Sequence, residues 1–378
     1  MNLPAPKSRH LPALDGVRGI AILLVLATHL VGGGKPAHWG ESGAWVSNFL
    51  ISLNTGVDLF FVLSGFLITG ILLDARGSKT YFRNFYVRRA LRIFPLYYVA
   101  IGLMCIYFWH VGAWAQMEER LPWLLTYCTN IRCWMQGYFD FTVAHVSMDH
   151  FWSLGVEEQF YLLWPAAVLF LDGPGLRRLC IACIGIAAVV RLLCVWNNPG
   201  GIAALALLPC RMDCFAVGSL IALEFRGVGG QIRRNQRVIL IASSLAFVLC
   251  CFDQNLYVSF VHATTPWIYG CLIIAAIDAR GIQKPLCNPV LRSFGKLSYG
   301  IYVLHAPILG MIRLAAPKWS TWEIAMGTLA VTYTASVLSW HLLESPFIRL
   351  KAFFPSQRPI ISDVSLNSTP AFAVRSAA

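Results

Sequence analysis

Apolar stretches of about twenty residues recur along almost the whole chain, and this limits the fold more than any other feature. About twenty residues of helix cross a bilayer's hydrocarbon core. Backbone in lipid can satisfy its polar groups only as helix or closed barrel. The stretches fall near 18–34, 53–73, 93–111, 152–171, 179–196, 205–225, 238–253, 262–278, 297–315 and 322–343. They predict an all-α polytopic membrane helix bundle of about ten transmembrane helices. Composition agrees: 57% of the 378 residues are hydrophobic and 13% charged, where a soluble domain has about a quarter charged.

The net charge is +12, and its placement is informative. Arg76, Lys79, Arg83, Arg88, Arg89 and Arg92 precede the third span. Arg226, Arg233, Arg234 and Arg237 precede the seventh, and Arg280, Lys284, Arg292 and Lys296 the ninth. Every second loop is basic, so the positive-inside rule puts these loops and both termini in the cytoplasm. Segment 112–150 then caps the far side. Residues 1–351 read as the membrane domain and 352–378 as a disordered cytoplasmic tail. No polar basic domain is present, so no nucleic-acid partner is expected. The first apolar run carries Arg18 and His29 and lacks a small-residue cleavage site, which predicts a retained helix. Most of the twelve cysteines lie in apolar runs as small hydrophobes. Cys128 and Cys133 flank a polar segment, and whether they pair is open. No Cys/His spacing suits zinc, and no metal is expected.

Polar residues inside the spans carry the functional signal, because they are costly there. Arg18 and His29 are eleven steps apart, roughly three turns, so they share a helix face about 16 Å apart. That suits two contacts on one elongated ligand. It also suits a snorkelling arginine and a core histidine. Ser64 and Gly65 read as helix packing, as does Gly70. Arg89 and Arg92 share a face and fit either a phosphate-bearing ligand or a lipid headgroup. Ser153, Glu157 and Tyr161 follow at i, i+4, i+8, with Glu158 beside them. These carboxylates need partners, for which Arg211 and Arg191 are candidates, or they serve as acid and base. Asp58, Asp213, His305, His341 and Glu344 add to a pattern that predicts a polar cavity.

The segments "LDGVRGIAILLVLATH", "GVDLFFVLSGFLITGILL", "RRALRIFPLYY", "FWSLGVEEQFYLLWP", "RMDCFAVGSLIAL", "LSYGIYVLHAPIL" and "HLLESPF" occur in this order. Together they resemble the acyltransferase-3 family of integral membrane O-acyltransferases, which includes surface-polysaccharide and O-antigen acetylases. The resemblance runs from about Leu11 to Arg349. It implies a ten-helix enzyme of the cell inner (plasma) membrane that takes an acyl group from cytoplasmic acyl-CoA, with no further cofactor. By the resemblance, Arg18 and His29 match the family's arginine–histidine motif, whose histidine is regarded as catalytic. Arg89 and Arg92 match its donor-site arginine pair, and Ser153 and Glu157 its Ser-Leu-x-x-Glu signature. Some relatives carry a further soluble domain. This chain ends about 35 residues after its last span, so it is expected to act alone or with a separate partner.

The expected reaction is transfer of an acyl group, acetyl first, to a hydroxyl of a carbohydrate, glycolipid or other hydroxylated acceptor. His29 is read as the general base, with a nucleophilic role as a variant. Arg18 and Glu157 are read as catalytic partners, Arg89 and Arg92 as acyl-CoA ligands, and Ser153, Arg211, His305 and Glu344 as support. A proton-coupled exporter of a polar metabolite also accounts for buried titratable residues, and a non-catalytic scaffold is a third reading. A transporter has no need of a phosphate clamp, and the chain shows no inverted repeat.

Overall fold

A computed structural model describes residues 11–31, 55–198, 201–252 and 254–355. Among the described residues ten helices of 17 to 30 residues form the framework. They are α1 (Pro12–Val31), α2 (Gly56–Asp74), α3 (Tyr81–His110), α4 (Trp152–Phe170), α5 (Gly173–Asn197), α6 (Leu208–Glu224), α7 (Gln236–Phe252), α8 (Gln254–Asp278), α9 (Pro289–Ala315) and α10 (Thr321–Ser339). The chain is an all-α polytopic membrane bundle, and seven of its helical stretches are long and apolar enough to cross a membrane. The other three long helices depart from that pattern for visible reasons. Helix α4 carries Glu157 and Glu158, α7 is 17 residues long, and α10 is diluted by threonine and serine.

Helix and apolar stretch do not coincide at every end. The third helix begins at Tyr81, twelve residues before the apolar run at 93, and continues through Pro95. Hydropathy marks where apolar burial starts, whereas backbone hydrogen bonding starts in the basic segment. Arg83, Arg88, Arg89 and Arg92 therefore ride on α3 itself.

Two close helix crossings set the centre. A Cβ on Gly65 of α2 would lie 2.1 Å from the Phe215 carbonyl oxygen of α6, and one on Gly218 would lie 2.0 Å from that of Val62. A Cβ on Gly295 of α9 would lie 1.8 Å from the Asp15 oxygen of α1. Small residues let backbones touch where lipid supplies no hydrophobic drive. Gly70 instead faces Arg226, which donates to its carbonyl at 3.0 Å. Outward faces are apolar: Ile106 is 68% exposed and Leu163 62%. In water that would be a liability; against acyl chains it is the expected surface.

Buried ion pairs tie α2, α5, α6 and α8. Arg211 pairs with Asp58, whose carboxylate also accepts from Thr265 Oγ1 at 2.7 Å and contacts His262 Nδ1 at 2.9 Å. Arg191 pairs with Asp213 and donates to the Cys210 carbonyl at 2.6 Å. These arginines are thus committed to aspartates, not to Glu157 or Glu158.

Segment 114–147 holds two short helices, Trp114–Leu125 and Thr129–Gln136, and a hairpin pairing Thr142 with Ser147 and Val143 with Val146. Asp149 closes the hairpin by accepting from Phe141 N and Thr142 Oγ1, both at 2.6 Å, and from Ser147 Oγ at 2.8 Å. The hairpin tip rests on α9: a Cβ on Gly310 would lie 2.7 Å from the His145 oxygen. Both Cys128 and Cys133 are free thiols. Of the segment read as a tail, residues 352–355 follow α3: Arg88 donates to the Phe354 oxygen and Asn84 to that of Pro355, each at 2.9 Å. Residues 356–378 lie outside the described residues.

Candidate active site

A partly open cavity lies between α1, α2, α3, α4 and α9. Helix periodicity builds its wall from α4: Ser153, Glu157 and Tyr161 share one face, and all three line the cavity. Arg18 enters from α1 and the pair Arg89 and Arg92 from α3, three residues apart. Ser64 comes from α2, and Ser298, Tyr299 and Tyr302 from α9.

One end of the cavity is cationic. Arg18 Nη1 donates to Asp15 Oδ1 at 3.1 Å. The Arg89 guanidinium lies over the rings of Tyr161 and Phe85, 5.5 and 5.8 Å from their centroids. Neither Arg89 nor Arg92 forms an ion pair among the described residues. Beyond α10, the Lys351 ammonium is pushed down to about 7 by its burial and by the charges of Arg92, Arg89 and Arg88. Three arginines and the carboxylates of Glu157 and Glu158 thus line the same cavity.

The middle is a hydroxyl–carboxylate cluster. Glu157 accepts from both Ser64 Oγ and Tyr161 OH, which themselves lie 3.2 Å apart. Ser64 is therefore a cavity residue, and only Gly65 belongs to the packing read for that pair.

At the opposite end Ser153 Oγ and Tyr302 OH meet at 2.5 Å, and Tyr302 OH donates to the His150 carbonyl at 2.8 Å. Behind them three histidine rings touch edge to face. His29 and His305 have centroids 4.9 Å apart, and His150 and His305 4.8 Å. His29 Nδ1 faces the Val25 carbonyl at 2.9 Å. A carbonyl only accepts, so Nδ1 carries the proton and Nε2 keeps its lone pair.

Of the residues singled out in the sequence, Arg18, Arg89, Arg92, Ser153 and Glu157 line one cavity. His29 and His305 sit together just past its inner end. Arg211 stands apart, because it neutralises Asp58. Glu344 is buried on the outer side of α9, where it accepts from Ser339 Oγ at 3.1 Å, and His341 is exposed. A π-turn over Trp340–Glu344 breaks the spacing that would put those two on one face. Tyr302 and His150 escaped the sequence reading. Tyr302 precedes His305 by three residues and shares its face. His150 immediately precedes the α4 motif, outside the apolar run.

The sequence model of the family described as "Acyltransferase domain" matches residues 11–341. The chain belongs to the acyltransferase-3 family. Among curated relatives, it is 29% identical to the peptidoglycan O-acetyltransferase OatA of Listeria monocytogenes, covering 91% of this chain and 57% of that protein. It is 28% identical to the putative peptidoglycan O-acetyltransferase YrhL of Bacillus subtilis, over 91% and 56%. The O-acetyltransferase OatA of Staphylococcus aureus follows at 24%, over 91% and 58%. The chain thus spans a little over half the length of these relatives. No solved structure matches it. As an acyltransferase-3 protein, its cavity joins the matched motifs from five helices, with the arginines at one end and Ser153 and Tyr302, backed by the histidines, at the other.

Proposed function

We propose that this chain is an O-acyltransferase of the cell inner membrane that moves an acetyl group from acetyl-CoA to a hydroxyl of an envelope carbohydrate or lipid-linked glycan. Both termini and the cationic end of the cavity face the cytoplasm in this reading, and all ten long helices span. Peptidoglycan is the first acceptor to try, because one relative named above is a peptidoglycan O-acetyltransferase and another a putative one.

The observation that carries the reading is the cavity itself. Arg89 and Arg92, which form no ion pair among the described residues, line the same space as Arg18, Ser153 and Glu157. Its far wall, Tyr302, packs on the histidine cluster. An elongated donor held by its phosphates at the arginines would direct its thioester toward His29, about 16 Å along α1 from Arg18. His29 Nε2 would take the acceptor's hydroxyl proton as that oxygen attacks the carbonyl carbon. The C–S bond then breaks, and the proton passes to the departing thiolate. Arg18 and the pocket hydroxyls would stabilise the oxyanion.

The test is acetyl-CoA-dependent CoA release by the purified protein in liposomes, with peptidoglycan fragments or envelope glycolipids as acceptors. Wild type is expected to turn over, and His29→Ala to lose about a hundredfold or more. Equal turnover by both would remove His29 from the chemistry. No acetyl-CoA binding by wild type would overturn the reading.

A further inference from the structure

We propose that His150 and His305 form, with His29, the subsite that receives the acceptor hydroxyl; the proposal rests on the acyltransferase reading. His305 Nδ1 faces two backbone oxygens, Tyr302 at 2.7 Å and Ile301 at 3.1 Å. Both only accept, so this nitrogen carries the proton and Nε2 presents a lone pair, as in His29. Two neutral imidazoles that each present a lone pair cannot hydrogen-bond each other. The buried His305 lone pair calls for a proton donor from elsewhere.

Burial makes this arrangement costly. His305 is 0% exposed and His150 4%. His305 Nε2 and both ring nitrogens of His150 lack a hydrogen-bond partner. The carbonyls of Val303 and Tyr302 lie near His150 but outside hydrogen-bonding geometry. Buried polar atoms are partnered in folded proteins, and an unpartnered set points to a missing ligand. Among the described residues no three side chains are grouped to hold a metal ion. A hydroxyl answers the chemistry: it donates one proton to an imidazole lone pair and accepts from the remaining N–H of His150. The Tyr302–Ser153 pair stands between this subsite and the donor cavity, holding the His150 carbonyl. His150 thus donates its N–H to the oxygen, the hydroxyl's one proton rests on the His305 lone pair, and it passes to His29 as the oxygen attacks. The donor arginines are not involved.

The experiment compares wild type with His150→Gln, His305→Gln and His305→Leu in liposomes. Acetyl-CoA binding, glycan-acceptor binding without donor, and acceptor KM and kcat for transfer are measured separately. Both glutamine variants are expected to bind acetyl-CoA as wild type does. They are expected to lose about tenfold or more in acceptor kcat/KM and to bind the glycan more weakly. His305→Leu, which restores no hydrogen-bonding atom, should fall further than His305→Gln. Wild-type acceptor binding and kcat/KM in either glutamine variant would overturn the proposal. Parallel loss of acetyl-CoA binding would overturn it too, by showing a merely structural role. Failure of wild type to bind acetyl-CoA would sink the acyltransferase reading alone, because glycan binding is read without donor.

Discussion

Arg89 and Arg92 show how one side chain type carries two meanings until its surroundings are known. A juxtamembrane arginine usually meets lipid phosphate. Here both guanidiniums turn into a cavity shared with Arg18, and Arg89 is braced over the Tyr161 ring. A planar guanidinium offers a fork that an ammonium lacks. Arg89→Lys is therefore expected to keep the charge yet weaken acetyl-CoA binding about tenfold, roughly one charge-assisted hydrogen bond. Titration calorimetry on the purified protein reads this directly, and an unchanged Kd would show that the guanidinium does not hold the donor. Ser64 carries the complementary lesson. Nothing in "LSGF" distinguishes a packing serine from a cavity serine, and only Glu157 from another helix does so.

Helices α1 and α9 run side by side, with Gly295 against Asp15 near one end and His305 against His29 near the other. Their contact sets how the histidines meet. A methyl group on Gly295 has no room, since its carbon would sit 1.8 Å from a backbone oxygen. Gly295→Ala should force the helices apart at a cost of about 1–3 kcal/mol. The expected result is a lower thermal unfolding midpoint in detergent and a larger fractional loss of acyl transfer than of donor binding. A variant matching wild type in both would show that this crossing is looser than described. The same element logic explains why α4 is legible: its i, i+4, i+8 polar stripe is a property of one helix, and the stripe faces the cavity intact.

For the molecule as a whole, buried charge is compensated locally on one side of the bundle and left open on the other. Asp58, Arg211, Arg191 and Asp213 neutralise each other between α2, α5 and α6, whereas Arg89 and Arg92 form no ion pair among the described residues. Removing one member of a buried pair strands the other. Asp58→Asn is expected to destabilise by about 3–5 kcal/mol, and the double change Asp58→Leu with Arg211→Met to recover most of it. Denaturation in mixed micelles measures both. If the single variant is as stable as wild type, the pair does not bind the helices together.

The sequence by itself determined the membrane bundle, the family and the in-helix spacings. The bundle and the spacings follow from local rules, apolar length and 3.6 residues per turn, and the family from the order of the matched segments. It also carried Arg18, His29, Arg89, Arg92, Ser153 and Glu157 as candidates, because charged or polar groups inside apolar runs stand out. Only the tertiary structure decided which of them meet. Arg211 and Arg191 looked available to Glu157 and Glu158, and the commitment of Arg211 to Asp58 depends on how α2 crosses α6. Tyr302 and His150 had no sequence signal of their own, since a tyrosine in an apolar helix and a histidine before one are ordinary. Their roles arise from contacts between residues about 150 positions apart, and side-chain partnership across helices is set by packing, which no one-dimensional period encodes.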